Sequence, residues 1–417
     1  MSSILEADVA IVGAGPAGAT LALALAQGGL KPVLIDRAPL AEQLEPTFDG
    51  RAWAIAYSAF RQWKALGLGA RLEPYVQRIE QILVTDGRRP GAGSGAATPF
   101  LLRFDAEEIK DRSDGEPLGY MLENRAVRLV LGQALREAGV EVLAPARITA
   151  ADFSGQAARL TLEDGRTVRA PLACAADGRG SFLRKAAGIG AIGWPYKQGG
   201  VVATVRLRRP HGGVAYEHFL PTGPFAILPL TEDRASLVWT ESQAGAGALM
   251  AASPDAFQAH LDRRFGALLG GAEALPGRFN YPLGLELAER MCAPRVALLG
   301  DAAHGIHPIA GQGLNLGLKD AAALAEVLVD AARLGEDIGS LLVLERYAAW
   351  RRFDNVALAA GADAFVRLFS NDNPLIRLAR GAGMSAVGAI GPARRFFMEE
   401  AGGAVGELPR LLRGEAL

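Results

Sequence analysis

Short apolar runs and helical patterns alternate at the start of the chain. Residues 8–12 read as a short buried strand, and the alanine-rich stretch 17–27 reads as a helix that ends at Gly28 and Gly29. A second apolar run over 31–36 follows. This order predicts a strand, a helix and a second strand parallel to the first.

In the middle of the chain the apolar residues recur with a period of two, which predicts strands with one buried face. Segments 201–206, 215–220, 225–230 and 235–240 follow this pattern, and a hairpin is predicted from 159–162 and 167–168. Buried strands are predicted at 172–176 and 296–299. Helical patterns cover 58–67, 124–138, 254–269, 314–332 and most of 341–397.

The first turn carries three glycines, Gly13, Gly15 and Gly18, between a predicted strand and a predicted helix. The first permits a tight turn, the second lets a pyrophosphate approach the backbone, and the third lets helix and strand pack closely. The helix that starts at Ala17 offers free N–H groups, and Asp36 ends the next strand, where a ribose would lie. The motif predicts a dinucleotide without separating NAD from FAD.

A second loop, at the other end of the chain, favours FAD. Asp301 follows the strand at 296–299, and residues 308–315 then lead a run of small residues into a helix. Gly311 and Gly313 let backbone amides approach a flat ring, and the helix N-terminus stabilises the negative charge of a reduced flavin. Both ends of the chain are therefore expected to fold around one dinucleotide, with another unit inserted between them.

Composition narrows the class of protein. The chain has 417 residues, enough for two or three domains, and a net charge of -1, which gives no case for nucleic acid. Its two cysteines, Cys174 and Cys292, suggest buried thiols in a reducing compartment. No basic segment precedes Glu6, so no secretory signal is expected. The uncharged stretch 9–26 is long enough for a membrane span, but its glycines and Pro16 favour a strand, a turn and a helix.

Taken together, the motifs resemble those of the single-component FAD-dependent aromatic hydroxylases, which have the para-hydroxybenzoate hydroxylase-like fold. The first glycine turn, the segment 177–184 (DGRGSFLR) and the segment 300–317 (GDAAH, then HP and GQGLNLG) carry the resemblance, which extends to about Phe397. Segments 49–55, 118–124 and 223–230 are similar to the ubiquinone-biosynthesis branch of that family.

The resemblance implies an α/β fold: a Rossmann-like FAD-binding domain, an inserted antiparallel β-sheet substrate domain and a helical C-terminal region. The FAD-binding domain is expected in three parts, and the substrate domain in two. The expected ranges are 1–75, 119–190 and 286–335 for FAD binding, 76–118 and 191–285 for the substrate domain, and 336–417 for the C-terminal region.

The activity implied is hydroxylation of the aromatic ring of a polyprenylated phenol, with NAD(P)H and O2, through a flavin C4a-hydroperoxide. The branch also implies a complex with other ubiquinone-biosynthesis enzymes and a cytoplasmic location with peripheral contact at the inner membrane. Two rivals stay open: an FAD-dependent reductase of a prenyl lipid, and a non-catalytic flavoprotein subunit. The ring position, the choice of NADH or NADPH, and a separate reductase are also open.

The resemblance implies roles for individual residues. Gly13, Gly15, Ala17 and Gly18 would hold the pyrophosphate, with Asp36 and Arg37 at the ribose; most relatives have Glu where this chain has Asp36. The remaining cofactor contacts would come from Arg51, Arg125, Asp177, Asp301, Pro308, Gly311, Gln312, Gly313, Leu314 and Asn315. Arg51, Pro308 and Gly311 would contribute to catalysis by positioning the flavin, and no acid or base is assigned.

Several of these side chains also have a structural interpretation. Arg51 could be a surface arginine, and Arg125 and Arg184 could be salt-bridge partners. His304 and His307 suit acid–base roles or hydrogen-bonding braces, and no third ligand supports a metal site. Trp194 and Tyr196 suit either a substrate cavity or core packing, and the basic run 377–395 suits either a membrane surface or a packed helix.

Overall fold

A parallel sheet at the centre of the molecule joins the two ends of the chain. The computed structural model describes residues 4–39, 48–86, 102–265, 268–308, 311–369, 387 and 389–417. The strands of this sheet are β2 (Val9–Val12), β3 (Pro32–Ile35), β9 (Glu141–Leu143), β13 (Leu172–Ala175), β19 (Cys292–Ala293) and β20 (Val296–Leu298). They follow the order β19-β20-β13-β2-β3-β9, and all pairs are parallel except β19 with β20.

Helix α1 (Pro16–Gln27) covers this sheet because its side chains are small and apolar nearly all round. Residues 18–25 are all buried, Pro16 occupies the first turn, and the helix ends at Gly28. Helix α9 (Gly313–Arg333) packs directly on α1, although the two are far apart in sequence.

Two smaller sheets flank this core. Their strands are β1 (Ile4–Glu6), β4 (Ala52–Ala56), β5 (Gln77–Ile79), β8 (Gly119–Glu123), β10 (Ile148–Asp152), β11 (Ala158–Leu162) and β12 (Thr167–Ala170). One sheet has the order β1-β12-β11-β10 and the other the order β4-β8-β5.

An eight-stranded sheet forms the second large layer. Its strands are β6 (Gln81–Asp86), β7 (Leu102–Asp105), β14 (Ala191–Leu207), β15 (Val214–Leu220), β16 (Gly223–Leu230), β17 (Arg234–Ser242), β18 (Ala272–Ala288) and β21 (His304–Gly305). They follow the order β21-β18-β14-β17-β16-β15-β6-β7. All pairs are antiparallel except β15 with β6.

The two faces of this sheet have different surroundings. Its outer face packs Phe225, Leu237 and Trp239 against the helices α7 (Gln243–Ala251) and α8 (Pro254–Phe265). Its inner face carries Phe279, whose ring meets Phe48 edge-on at 6.0 Å, and Tyr281, whose hydroxyl donates to the Asp49 carbonyl at 2.9 Å. The inner face therefore lies toward the segment 48–51.

The remaining helices fill the surface around these layers. They are α2 (Tyr57–Ala65), α3 (Gly69–Leu72), α4 (Lys110–Ser113), α5 (Asn124–Glu137), α6 (Phe182–Ala186), α10 (Leu341–Phe369), α11 (Gly391–Ala401) and α12 (Arg410–Arg413). Among the described residues, none of the helices has both the length and the hydropathy to span a bilayer. The uncharged stretch 9–26 instead divides into β2, a turn and α1.

The predicted fold class is confirmed, and so are the early strand–helix–strand unit, the 159–168 hairpin and the antiparallel strands between 199 and 241. One helix is shorter than predicted: α8 ends at Phe265, and Leu269 adopts the left-handed conformation within a separate short turn. The sequence analysis predicted no strand at β1, β4 to β10, β18, β19 or β21. Most of the run 377–395 lies outside the described residues.

Candidate active site

The first glycine turn is closed by backbone contacts. Gly13 has φ +106°, and a Cβ added there would lie 2.2 Å from the Ala176 carbonyl oxygen. A Cβ on Gly18 would lie 2.0 Å from the Gly13 carbonyl oxygen. Gly15, by contrast, faces open space and precedes the first turn of α1. The turn thus leaves one side open where the free N–H groups of the helix point.

Asp36 lies beside this turn and is hydrogen-bonded to it. Its carboxylate accepts hydrogen bonds from the Ala14 amide at 2.6 Å and the Ala38 amide at 2.7 Å. Arg37, next to it, is exposed. Asp36 therefore lies at the carboxyl end of β3, beside the glycine turn, as the sequence predicted.

The early and late motifs meet at small residues. Gly300 has φ +58°, and a Cβ added there would have the Cβ of Ala17 and the Cα of Gly317 within 4 Å. A Cβ on Gly317 would lie 3.1 Å from the Gly300 Cα. Asp301 follows directly with its side chain 47% exposed, 3.6 Å from the guanidinium of Arg179. The N-terminal turns of α1 and α9 and the carboxylate of Asp301 therefore share one edge of the parallel sheet.

Asn315 joins the late loop to strand β4. Its side-chain amide donates to the Ala54 carbonyl at 2.9 Å and accepts from the Ala56 amide at 2.9 Å. Gly311 needs its φ of +63°, and a Cβ there would approach Ala54 to 3.2 Å. Gln312 donates to the Ala401 carbonyl at 3.2 Å.

The other residues predicted in this loop start the helix or precede it. Gly313 and Leu314 form the first turn of α9, and Pro308 is exposed. The structure therefore brings residues 311–315 against the strand that follows Arg51.

Arg51 belongs to a hydrogen-bonded cluster that sequence reasoning did not find. Its guanidinium donates to the Asp49 carboxylate at 2.8 Å, and the Asn124 amide donates to the same carboxylate at 2.7 Å. Trp53 donates to the Asn124 side-chain oxygen at 2.9 Å. Asp49, adjacent to a predicted residue, also anchors Tyr281 of the large sheet. The segment 49–53 thus connects the part of the chain predicted to bind FAD to the eight-stranded sheet.

Arg125 opens α5 beside that cluster. It pairs with Glu123 at 3.0 Å and lies over the ring of Phe48 at 5.4 Å. Arg184 is buried, donates to the Ala302 carbonyl at 3.0 Å and pairs with Glu286. Both arginines therefore make the salt bridges that were one of their two interpretations.

Asp177 follows β13, as Asp301 follows β20. One of its oxygens accepts from the Phe182 amide at 2.8 Å, and the other is buried without a hydrogen-bond partner among the described residues. Its neighbour Arg179 donates to the Ile306 carbonyl at 2.9 Å. The segment 177–184 thereby packs under the loop that begins at His304.

His304 is a buried brace. Its Nε2 lies 2.5 Å from the Asp320 carboxylate, which also accepts from the Gly300 amide at 3.0 Å and from Arg351 at 2.9 Å. Burial alone would raise the pKa of Asp320, but its bonds to His304 and Arg351 outweigh that effect and hold the pKa well below its ordinary value.

No cluster of residues suited to a metal ion occurs among the described residues.

His307 lies in the same loop without hydrogen bonds to either ring nitrogen among the described residues. Burial, with a smaller contribution from Arg179, lowers the pKa of His307 to about 4, so its imidazole is neutral at pH 7. Tyr196 meets its ring at 5.3 Å. Tyr196 and Trp194 both donate to Asp363 of α10, at 3.0 and 3.1 Å, so they tie β14 to that helix.

These residues fit a dinucleotide that carries a flat ring. The open side at Gly15 gives a pyrophosphate access to helix N–H groups, while Gly13 and Gly18 leave no room for side chains. Asp301, Asp36 and the buried oxygen of Asp177 offer acceptors for hydroxyl groups. The left-handed Gly311 exposes backbone where a ring would pass.

Comparison with known proteins agrees with this geometry. The family model described as "FAD binding domain" matches residues 6–352. Ubiquinone hydroxylase UbiL of Rhodospirillum rubrum is 46% identical over 99% of this chain and 94% of its own length. The 3-demethoxyubiquinol 3-hydroxylase of Escherichia coli is 35% identical over 94% of this chain and 98% of its own. The crystal structure of p-nitrophenol 4-monooxygenase PnpA from Pseudomonas putida has the same fold, with a TM-score of 0.78 over 95% of this chain and 98% of that one, at 20% identity.

Proposed function

The chain belongs to the FAD binding domain family of flavin-dependent monooxygenases, and from that premise we propose that it hydroxylates the aromatic ring of a polyprenylated phenol in ubiquinone biosynthesis. The relatives that support this substrate class are a ubiquinone hydroxylase and a 3-demethoxyubiquinol 3-hydroxylase. NAD(P)H is the proposed electron donor and O2 the second substrate.

The single observation that carries the proposal is the meeting of Ala17, Gly300 and Gly317. It brings a pyrophosphate-type turn and a ring-type loop to one edge of one parallel sheet, although some 280 residues separate them along the chain. An extended dinucleotide with a flat ring requires both a pyrophosphate turn and a ring loop, and the two must lie at the same edge of the sheet. A nicotinamide enzyme needs only the first.

We assign the nucleotide contacts to residues around the first turn. Gly13, Gly15, Ala17 and Gly18 would hold the pyrophosphate through backbone N–H groups. Asp36, with Arg37 beside it, would hold the adenosine ribose, and the spare acceptors on its carboxylate support this role. Asp301 and Asp177 would hold ribityl or pyrophosphate groups, and Arg125 would be released from Glu123 to reach a phosphate.

We assign the ring to the edge that strand β4 and the late loop form together. Arg51, Pro308 and Gly311 would position it, and Gln312, Gly313, Leu314 and Asn315 would border it. FAD, when bound, supplies the passage of electrons from NAD(P)H and the activation of O2. The protein's own contribution is orientation: Asn315 locks the loop to Ala54, and Asp49 locks Arg51 to the large sheet.

We also propose the division of the chain into units. The strands β6 and β7 lie in the eight-stranded sheet, which supports adding 76–118 to the substrate domain at 191–285. The parallel sheet draws its strands from 1–75, 119–190 and 286–335, which supports the three-part FAD-binding domain. The C-terminal region would be 336–417.

The site of action is proposed to be the cytoplasmic surface of the inner membrane, where a polyprenyl tail would reside. Helix α10 supports peripheral contact because it exposes Phe353, Val356 and Phe365 by 79%, 50% and 44%. Sedimentation with vesicles of anionic phospholipid should recover the wild type and less of a Phe353→Ser variant. A complex with other enzymes of the pathway is a further proposal, which co-purification would test.

Turnover decides the main proposal. The purified flavoprotein, given NAD(P)H, O2 and a short-chain prenylphenol such as 2-geranylphenol, should form a ring-hydroxylated product that retains one atom from 18O2. A product without that isotope, or NAD(P)H-dependent reduction of the prenyl chain in its place, would contradict it.

A further inference from the structure

One carboxylate on the large sheet has no role in the contacts described so far. Glu217 lies in the middle of β15. On the successive strands across the sheet, the residues paired in line with it are Ala226, Val238, Val202 and Phe279. Residues directly opposite each other in a sheet share a face. Glu217 therefore points from the inner face, the same face that carries Phe279 and Tyr281 toward segment 48–51.

The alternation of the strand confirms this direction. Tyr216, the neighbour of Glu217, belongs to the outer apolar cluster under α7 and α8. Its register partners Ile227 and Leu237 belong to the same cluster. Because successive side chains in a strand point to opposite faces, Glu217 cannot share that side.

Contacts between strands connect this part of the sheet to the proposed ring site. Strand β16, hydrogen-bonded to β15, packs against β8, and β8 pairs with β4. Strand β4 carries Ala54, which contacts Gly311 and accepts the Asn315 hydrogen bond. The strand beside that of Glu217 is thus connected, through β8 and β4, to the loop assigned to the ring.

Glu217 lacks the partners that a carboxylate in this setting requires. Among the described residues it makes neither a hydrogen bond nor a salt bridge, and it is the only carboxylate on the inner face of β15, β16 and β17. Two charged pairs at the border of this face are complete: Arg51 with Asp49, and Arg234 with Glu123. A desolvated carboxylate without a partner costs stability, which makes this residue a candidate for contact with a ligand.

We propose that the Glu217 carboxylate accepts the hydrogen bond, and then the proton, of the substrate's phenol hydroxyl. This role rests on the proposed function and names the group that selects a phenol among apolar aromatic compounds. Ala226 and Val238, the next residues across the sheet on the same face, would border the ring and the start of the prenyl tail.

Burial supports the proposal by tuning the acid strength of this group. The residue is half-buried as a whole, yet desolvation raises the pKa of its carboxyl to about 8. The carboxylate form that accepts a proton is therefore populated near and above pH 8. This pKa is closer to that of a phenol, about 10, than the pKa of an ordinary glutamate is. A proton acceptor matched in this way transfers protons more effectively in both directions.

The proton transfer balances within one turnover. The phenol O–H bond breaks, its electron pair stays on oxygen, and the proton makes Glu217 a neutral acid. The ring, now richer in electrons, reacts with the activated oxygen that NAD(P)H and O2 supply in the proposed function. The hydroxylated carbon then loses its hydrogen as a proton, which joins the second atom of O2 in forming water, while the ring regains aromaticity. Glu217 returns its proton to the phenolic oxygen.

The test uses the FAD-loaded full chain with 2-geranylphenol and its methyl ether as probes. Glu217→Gln keeps the shape of the side chain and removes the proton acceptor. We expect product formation to fall about 100-fold, within the usual range for a lost general base, while binding of the phenol changes little and NAD(P)H oxidation continues without product. Glu217→Leu should also lose the preference of the wild type for the phenol over the methyl ether.

Glu241→Gln is the matched control because Glu241 lies on β17 of the same sheet but pairs with Arg264 on the outer face. It should keep the wild-type yield of product. Wild-type turnover in Glu217→Gln, or an unchanged phenol preference in Glu217→Leu, would overturn the role of Glu217. If the wild type prefers the phenol through Glu217 yet makes no oxygenated product, the hydroxylase function fails and the role of Glu217 stands.

Discussion

Two regions of this molecule treat their buried polar groups in opposite ways. Beneath the late loop, the carboxylate of Asp320 meets His304, Arg351 and the Gly300 amide. On the inner face of the large sheet, Glu217 and the hydroxyl of Thr240 are left without partners among the described residues. The Asp320 cluster is a finished scaffold that fixes backbone, whereas we propose that the region around Glu217 is completed by a ligand.

The largest effect is expected from breaking the finished scaffold. Asp320→Ala removes the acceptor of three bonds and leaves the buried Arg351 guanidinium with only Asp354 and Asn355 as partners among the described residues. We expect the free energy of unfolding to fall by about 3–5 kcal/mol in urea titrations. Glu336→Gln, which breaks an exposed pair with Arg346, should leave it nearly unchanged. Equal effects of the two substitutions would contradict the contrast.

A smaller loss should follow from adding one methyl group to the closed turn. In Gly18→Ala the new Cβ meets the Gly13 carbonyl oxygen, so backbone must move, at a cost of about 1–3 kcal/mol. FAD affinity, measured by quenching of flavin fluorescence, should fall at least about tenfold. Gly247→Ala, in open space on α7, is the control and should leave affinity unchanged. Full FAD affinity in Gly18→Ala would show that the turn does not hold the pyrophosphate.

The unfinished region should respond in the opposite direction. Glu217→Gln should stabilise the fold by about 1–3 kcal/mol near pH 8, because it removes an unpartnered carboxylate. The pKa of Glu217 is raised to about 8 in the folded state, so the wild type loses stability as pH rises from its ordinary pKa toward 8.

The advantage of Glu217→Gln should accordingly grow across that window and level off above it. Thermal unfolding of both proteins at several pH values measures it. A pH-independent difference would mean that Glu217 keeps an ordinary pKa in the folded protein.

Asp301→Ala should separate stability from binding. The side chain is half exposed and its nearest cation, Arg179, lies at 3.6 Å, so unfolding of the FAD-free protein should change by less than about 0.5 kcal/mol. FAD retention should be lost, and Asp301→Asn should recover part of it through its remaining oxygen. A flavin spectrum of normal intensity in purified Asp301→Ala would remove this residue from the site.

The sequence predicted best where backbone chemistry admits few residue types. Gly13, Gly18 and Gly311 occupy positions that exclude a side chain or need positive φ, and glycine spacing alone identified them. The alternation in β14 to β17 likewise predicted strands with two distinct faces.

What the sequence did not reveal depends on contacts between distant segments. Asp49, Asn124 and Tyr281 form one cluster, yet each is an ordinary polar residue in its own neighbourhood. The partner of His304 lies on α9, and no local pattern marks Asp320 as buried. Glu217 was hidden for the same reason: only the register of five strands shows which face it occupies.

The central claim is that the two ends of the chain hold one flavin together, and FAD titration of the flavin-depleted protein tests it most directly. One equivalent should bind per chain, and Gly18→Ala and Asp301→Ala, from opposite ends, should each weaken that same binding event. Failure to take up FAD, or loss of affinity in only one of the two variants, would contradict it.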